Sequence, residues 1–167
     1  MKQAGSALTF LCLVITFFLW GCPVGVSYPL GEMADAQNMP QLIGTWVTDD
    51  PEAEMKKLSV TAGDKPGTYR VEVLEKGSSY AVETTSFLAW TTLLEGKTFL
   101  IAQEIATGLY FHYYLESSGT ANISLSDVTL KVGGIDAITS VAAFREEVRA
   151  SLAFPDVFVS RIDWHKP

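Results

Sequence analysis

Thr68-Tyr-Arg-Val-Glu-Val-Leu74 alternates without a break. Tyr69, Val71 and Val73 fall on one face and Arg70 and Glu72 on the other, the period-two pattern of a strand with one face in a core and one in water. Turn chemistry brackets it, with Gly63-Asp-Lys-Pro-Gly67 before and Glu75-Lys-Gly-Ser78 after. Working outward, Leu42-Ile-Gly-Thr-Trp-Val47 and Leu58-Ser-Val-Thr-Ala62 read as strands upstream. Downstream come Ser79 to Trp90, Lys97 to Gln103 after a Glu95-Gly96 hairpin turn, Leu109 to Glu116, Ala121 to Leu125 and Val157 to Trp164. Val128 to Val132 is a weaker candidate. The spacing predicts a mostly β chain, an antiparallel meander of about eight strands.

One segment has a different period. After Gly133-Gly134, Ser140 is placed to N-cap a helix running to about Leu152. Val141, Phe144, Val148 and Leu152 form its apolar stripe, with Arg145, Glu146, Glu147 and Arg149 on the other side. Phe154-Pro155 stops it. The single helix therefore precedes the last strand and is expected to cover one end or flank of the sheet. Leu109-Tyr-Phe-His-Tyr-Tyr-Leu-Glu116 is apolar or aromatic on both faces, which suits one face turned inward and the other beneath that helix.

Composition removes several classes. Of 167 residues, 48% are hydrophobic and 19% charged, too apolar for a disordered chain. Lysine and arginine number 12 against 19 aspartates and glutamates, a net charge of −7, so no nucleic-acid partner is expected. Much of the apolar content is at the amino terminus. Met1 to Ser6 carries Lys2 and no acid, and Ala7 to Trp20 is a 14-residue apolar run interrupted only by two threonines. That length fits the apolar region of a signal peptide better than a spanning helix, which takes about 20 residues.

The run ends in Leu19-Trp-Gly-Cys22. This resembles the lipobox of bacterial lipoproteins, which implies cleavage between Gly21 and Cys22 and a diacylglycerol thioether on the Cys22 sulfur. The other readings are an uncleaved anchor extended through Val24 and Val26, or ordinary secretion. Both cysteines of the chain, Cys12 and Cys22, precede the predicted domain, leaving it no disulfide and no thiolate. Three divisions follow: 1–21 signal peptide, 22–41 lipidated Cys and flexible tether, 42–167 β-rich domain. Prolines and glycines in Pro23 to Gln41 suggest a coil with a reach of about 25 Å.

Gly44-Thr-Trp46 on the first strand is similar to the Gly-x-Trp of calycins, the superfamily of lipocalins and fatty-acid-binding proteins. That resemblance implies a closed barrel in which an Arg of the last strand lies over the Trp ring, here Arg161 in Val159-Ser-Arg-Ile-Asp-Trp164. An ordinary core Trp46 and a solvent-facing Arg161 are the alternative. More narrowly, Gly44, Trp46, Lys97-Thr-Phe-Leu100 and Leu109-Tyr-Phe111 look like the layout of lipocalin-like bacterial lipoproteins.

Residues suited to chemistry are few. His112 and His165 are the only histidines, and no Gly-x-Ser-x-Gly elbow, dinucleotide fingerprint or Walker loop occurs. Asp49-Asp-Pro-Glu-Ala-Glu54 lacks the alternating ligands of a calcium loop and reads as solvated. Asn122-Ile-Ser124 reads as part of a strand. The aromatics Tyr80, Phe87, Trp90, Phe99, Phe111 and Tyr113 are candidates to line the barrel interior, packed on one another or around a ligand. The expectation is a non-enzymatic protein of the cell envelope, held to the membrane by an N-terminal lipid, facing the periplasm or exterior and needing no cofactor or metal. Its partner is a small apolar ligand or another envelope protein. A fully packed structural or interaction module, or a signal-anchored protein without lipid, are the alternatives.

Overall fold

The computed structural model describes residues 25–76 and 82–167. Its eight strands follow one another in sequence order around a closed antiparallel barrel. They are β1 (Gly44–Val47), β2 (Met55–Ala62), β3 (Thr68–Lys76), β4 (Val82–Leu94), β5 (Lys97–Glu104), β6 (Tyr110–Ser118), β7 (Asn122–Val128) and β8 (Phe158–His165), with helix α1 (Val141–Ser151) before the last. The Glu95-Gly96 turn joins β4 to β5 with φ of 50° and 72°, the left-handed pair that a two-residue hairpin needs. Val128 to Val132 is not a separate strand: β7 ends at Val128, and the chain leaves the sheet toward α1.

Alternation divides the side chains between two cores. Trp46 stands opposite Leu58 and Leu58 opposite Val73, while Val60 faces Val71 and Ala89 faces Ala102. These residues, with Tyr69, Leu115, Ile123, Leu125 and Trp164, form the barrel interior. The other face of β4 and β5 carries Trp90, Phe99 and Ile101. They pack against Phe144 and Val148 of α1 and against Val26 and Leu30. Ser140 caps α1 as expected, its hydroxyl accepting from the Ala143 N–H at 3.1 Å. Glu147, expected on the polar side, is instead 6% exposed. Its carboxylate accepts the N–H groups of Val132, Gly133 and Gly134 at 2.9–3.2 Å. Burial pushes this carboxyl up, but those donors and the Ser151 hydroxyl outweigh it, and it lies below the usual range.

The stretch expected as a flexible tether is, from residue 25, part of the fold. Leu30 is fully buried, and Met33 and Ala36 pack on the second core. Met39 N–H donates to the Tyr69 hydroxyl at 2.7 Å and Thr91 Oγ1 to the Gln37 carbonyl at 3.1 Å. The apolar residues spaced between its prolines and glycines have a sheet face to cover. Residues 25–42 form a strap from the start of β6 to the Trp46 end of the barrel.

Closure departs from the expectation at one residue. Arg161 does not lie over Trp46: it is exposed on β8, paired with Glu116 and Asp163 and donating to Ser124 Oγ. It sits three positions from Trp164, so the strand turns it to the outer face. The cation over the Trp46 ring is Lys166, with Nζ 4.8 Å from the ring centroid. The same ammonium donates to the Gln41 and Ile43 carbonyls, both at 3.0 Å. Gly44 makes room for it: at φ 136° a Cβ there would stand 3.3 Å from Lys166 Cε. Between β1 and β8 the ladder itself contributes one residue pair, Val47 with His165. Lys166→Ala is therefore expected to cost about 1–2 kcal/mol and to speed hydrogen exchange at Val47. Arg161→Ala, which breaks solvent-exposed ion pairs, is expected to cost no more than about 1 kcal/mol in the same denaturant titration.

Candidate functional site

The wall of the barrel opens where β6 begins. Pairing of β6 with β5 starts at Tyr110, opposite Gln103, whereas pairing with β7 starts only at Tyr113, opposite Asp127. The strap takes up part of the unpaired edge. Val26 N–H donates to the Tyr110 carbonyl at 3.0 Å, and Tyr110 N–H returns to the Val26 carbonyl at 2.9 Å. Between this bridge, the end of β7 and α1 lies a cleft of about 390 Å³. Val26, Phe111, Val128, Leu130, Ile135 and Phe144 give it an apolar lining, and His112, Asp127 and Thr129 add polar groups. Phe111 and His112 are neighbours on one strand and point to opposite faces, so the cleft at this unpaired edge touches residues of both faces.

His112 is held as a neutral ring. Its Nε2 accepts the Leu30 N–H at 3.1 Å, which places the proton on Nδ1. The ring meets Phe144 edge-on, centroids 4.6 Å apart. Burial pushes its pKa down to about 3. Asp127 enters from the inner face of β7. Burial pushes its carboxyl up, opposed by a hydrogen bond from Ser160. Ser160 adopts φ 51° at the irregularity where Leu125 pairs with Ile162 but Asp127 with Val159. Farther inside, burial and then the charges of Asp127 and Glu75 raise the Tyr113 phenol well above its usual range. The cleft thus offers an apolar wall with a few hydrogen-bonding groups, the neutral His112 ring, the Thr129 hydroxyl and the Asp127 carboxyl. Next to Asp127 it is a poor place for a second carboxylate.

A second opening of about 530 Å³ lies beside the β1–β8 seam. Asp49, Asp50, Arg161, Asp163 and His165 line it, with Trp164 at its back, and its polar, open rim suits water better than an apolar guest. Among the described residues, no three His, Cys, Asp or Glu side chains converge as a metal cluster. No described helix is long and apolar enough to cross a membrane.

The expected cavity residues separate. Phe87, Phe111 and Tyr113 share the inner face, with Phe87 and Phe111 edge-to-face at 6.0 Å. Trp90 and Phe99 are corrected to the outer face, in the second core beneath α1 and the strap. The reason is parity: Trp90 lies three residues from Phe87, and Phe99 is adjacent to inward-facing Leu100. Gly21, Cys22 and Tyr80 lie outside the described residues. Val26, Asp127 and Ile135 were not expected at the site. The available signal was Asp127 itself, a carboxylate on the inward parity of Leu125.

No protein-family model matches the chain, no curated protein is similar to it and no solved structure matches it. The eight-stranded antiparallel barrel is compatible with a calycin-like architecture.

Proposed function

We propose that this protein is a lipid-anchored, non-enzymatic binding barrel of the cell envelope, which holds a small, largely apolar molecule in the cleft between β6, β7 and α1. The observation that carries this reading is the cleft of about 390 Å³, walled by apolar side chains with His112 and Asp127 as its polar points. A neutral imidazole bears one donor on Nδ1, and the half-buried Asp127 carboxyl, pushed up by burial, disfavours a second acid beside it. Together they favour a neutral amphiphile carrying a hydroxyl or carbonyl over a fatty carboxylate. The anchor reading rests on the Leu19-Trp-Gly-Cys22 motif after the apolar run.

Native mass spectrometry of the detergent-solubilised protein tests the binding claim. The expected result is a non-covalent adduct of lipid size on the wild type, reduced at least tenfold in Ile135→Trp, whose indole fills the cleft from a half-exposed position. Adduct-free wild type, or equal occupancy of the variant, would falsify it. A second reading, a structural or interaction module without ligand, is favoured by the barrel interior, where Trp46, Tyr69 and Trp164 pack with the aliphatic residues. The same spectra separate the two.

A further inference from the structure

We infer that the tip of the β5–β6 hairpin, Ile105 to Leu109, is a membrane-contact surface that lies on the bilayer. This rests on the anchoring of Cys22 proposed above. Val26 is fixed to Tyr110 by two backbone hydrogen bonds. Gly25 packs so closely on the base of the hairpin that a Cβ there would stand 3.0 Å from Leu109 Cβ and 3.1 Å from Phe111 Cζ. Four residue steps separate Cys22 from Val26, and an extended chain covers at most ~14 Å in four steps. A lipid on the Cys22 sulfur therefore brings the start of β6 to within that distance of the membrane surface. A leash this short holds the hairpin base nearer the surface than a long coil would.

The side chains at that place suit the contact. Ile105-Ala-Thr-Gly-Leu109 carries no charge in a chain of net charge −7. Ile105 is 61% exposed, and Leu109 is also open to solvent. Apolar side chains at a hairpin tip gain by leaving water, and the nearest charge, the Glu104 carboxylate at the base of the tip, accepts a hydrogen bond from the Thr107 hydroxyl. Val26, bonded to Tyr110 at the base of the hairpin, also lines the cleft, so a membrane at the tip, the layer from which an apolar guest is drawn, stands close to the cleft.

The test uses the full-length protein isolated from membranes and reconstituted in phosphatidylcholine vesicles containing bromine-labelled acyl chains. A thioether-linked Cys22 takes no thiol label, so Ile105→Cys and Lys65→Cys each accept one bimane. Lys65 lies in the β2–β3 turn, at the opposite end of the barrel. The expected result is a blue-shifted Ile105 probe quenched at least fivefold more strongly than the Lys65 probe. Equal quenching at the two sites, with diacylglycerol confirmed on Cys22 by intact mass, overturns the contact surface and leaves the anchor standing. An unmodified Cys22 in the same spectrum overturns the anchor, and the surface with it.

Discussion

Trp90→Ala is expected to destabilise the fold by about 3–5 kcal/mol, the largest loss from any single side chain outside the barrel interior. The indole is 2% exposed at the junction of three elements. Its Nε1–H donates to the Gly31 carbonyl at 2.9 Å, and its ring meets Tyr110 edge-on at 6.1 Å. Around it lie Leu30 of the strap, Ile101 of β5, and Phe144 and Val148 of α1. Truncation leaves a void that those backbones cannot close and frees the strap at its midpoint. Limited proteolysis should then cut between residues 25 and 41 well below the global midpoint. Trp90→Phe keeps most of the packing and gives up the hydrogen bond, a loss of about 1–2 kcal/mol. A change below 1 kcal/mol in Trp90→Ala, measured by urea titration, would show that the strap adds little to the fold.

Acid should weaken the protein earlier than its carboxylates alone would dictate. Unfolded, His112 takes up a proton near pH 6.5; folded, it stays neutral down to about pH 3. In that interval the unfolded chain binds one proton more, and stability falls by about 1.4 kcal/mol per pH unit. The loss reaches roughly 3 kcal/mol at pH 4. Glu147 adds to it with the same sign, because its contribution is complete above the ordinary carboxyl range and fades as pH drops through its depressed folded value. Asp127, raised in the folded state, acts in the opposite direction: stability declines as pH climbs through its folded value. Urea titrations at pH 7, 5.5 and 4 measure the slope. His112→Gln, which can still accept the Leu30 N–H but does not titrate, should flatten it. Parallel profiles for the two proteins would rule out His112 as the source.

The sequence disclosed the parts of this fold that repeat and concealed the parts that depend on register. Period-two alternation located the strands because their two environments differ, and Ser140 marked the helix because an exposed N–H needs a nearby oxygen. The aromatic sets were harder. Trp90 and Phe99 bury as deeply as Phe87 or Tyr113, and only counting positions from a known inward residue tells which core each joins. Glu147 looked like a solvated helix charge; its role follows from Val132 to Gly134 folding back over α1, a contact no local pattern records. Lys166 was passed over for Arg161 because the resemblance pointed to an arginine within the last strand, whereas Lys166 lies just past the end of β8. The strap was mistaken for a tether because proline and glycine mark irregular backbone without saying whether it is packed. The cleft escaped notice for a related cause: it exists where two strands fail to pair, and an absent ladder leaves no mark in the chain.

The seam between the first and last strands also governs assembly. The Lys166 ammonium and the Ile43 carbonyl that it binds are separated by 123 positions. While a chain is being made, β1 gains β2 early and then presents an unsatisfied edge until nearly everything else has emerged. Contacts this distant form slowly, and in the meantime the waiting edge can accept β8 from a neighbouring molecule as readily as its own. Refolding at high concentration should accordingly yield strand-exchanged dimers, and dilution should favour the monomer.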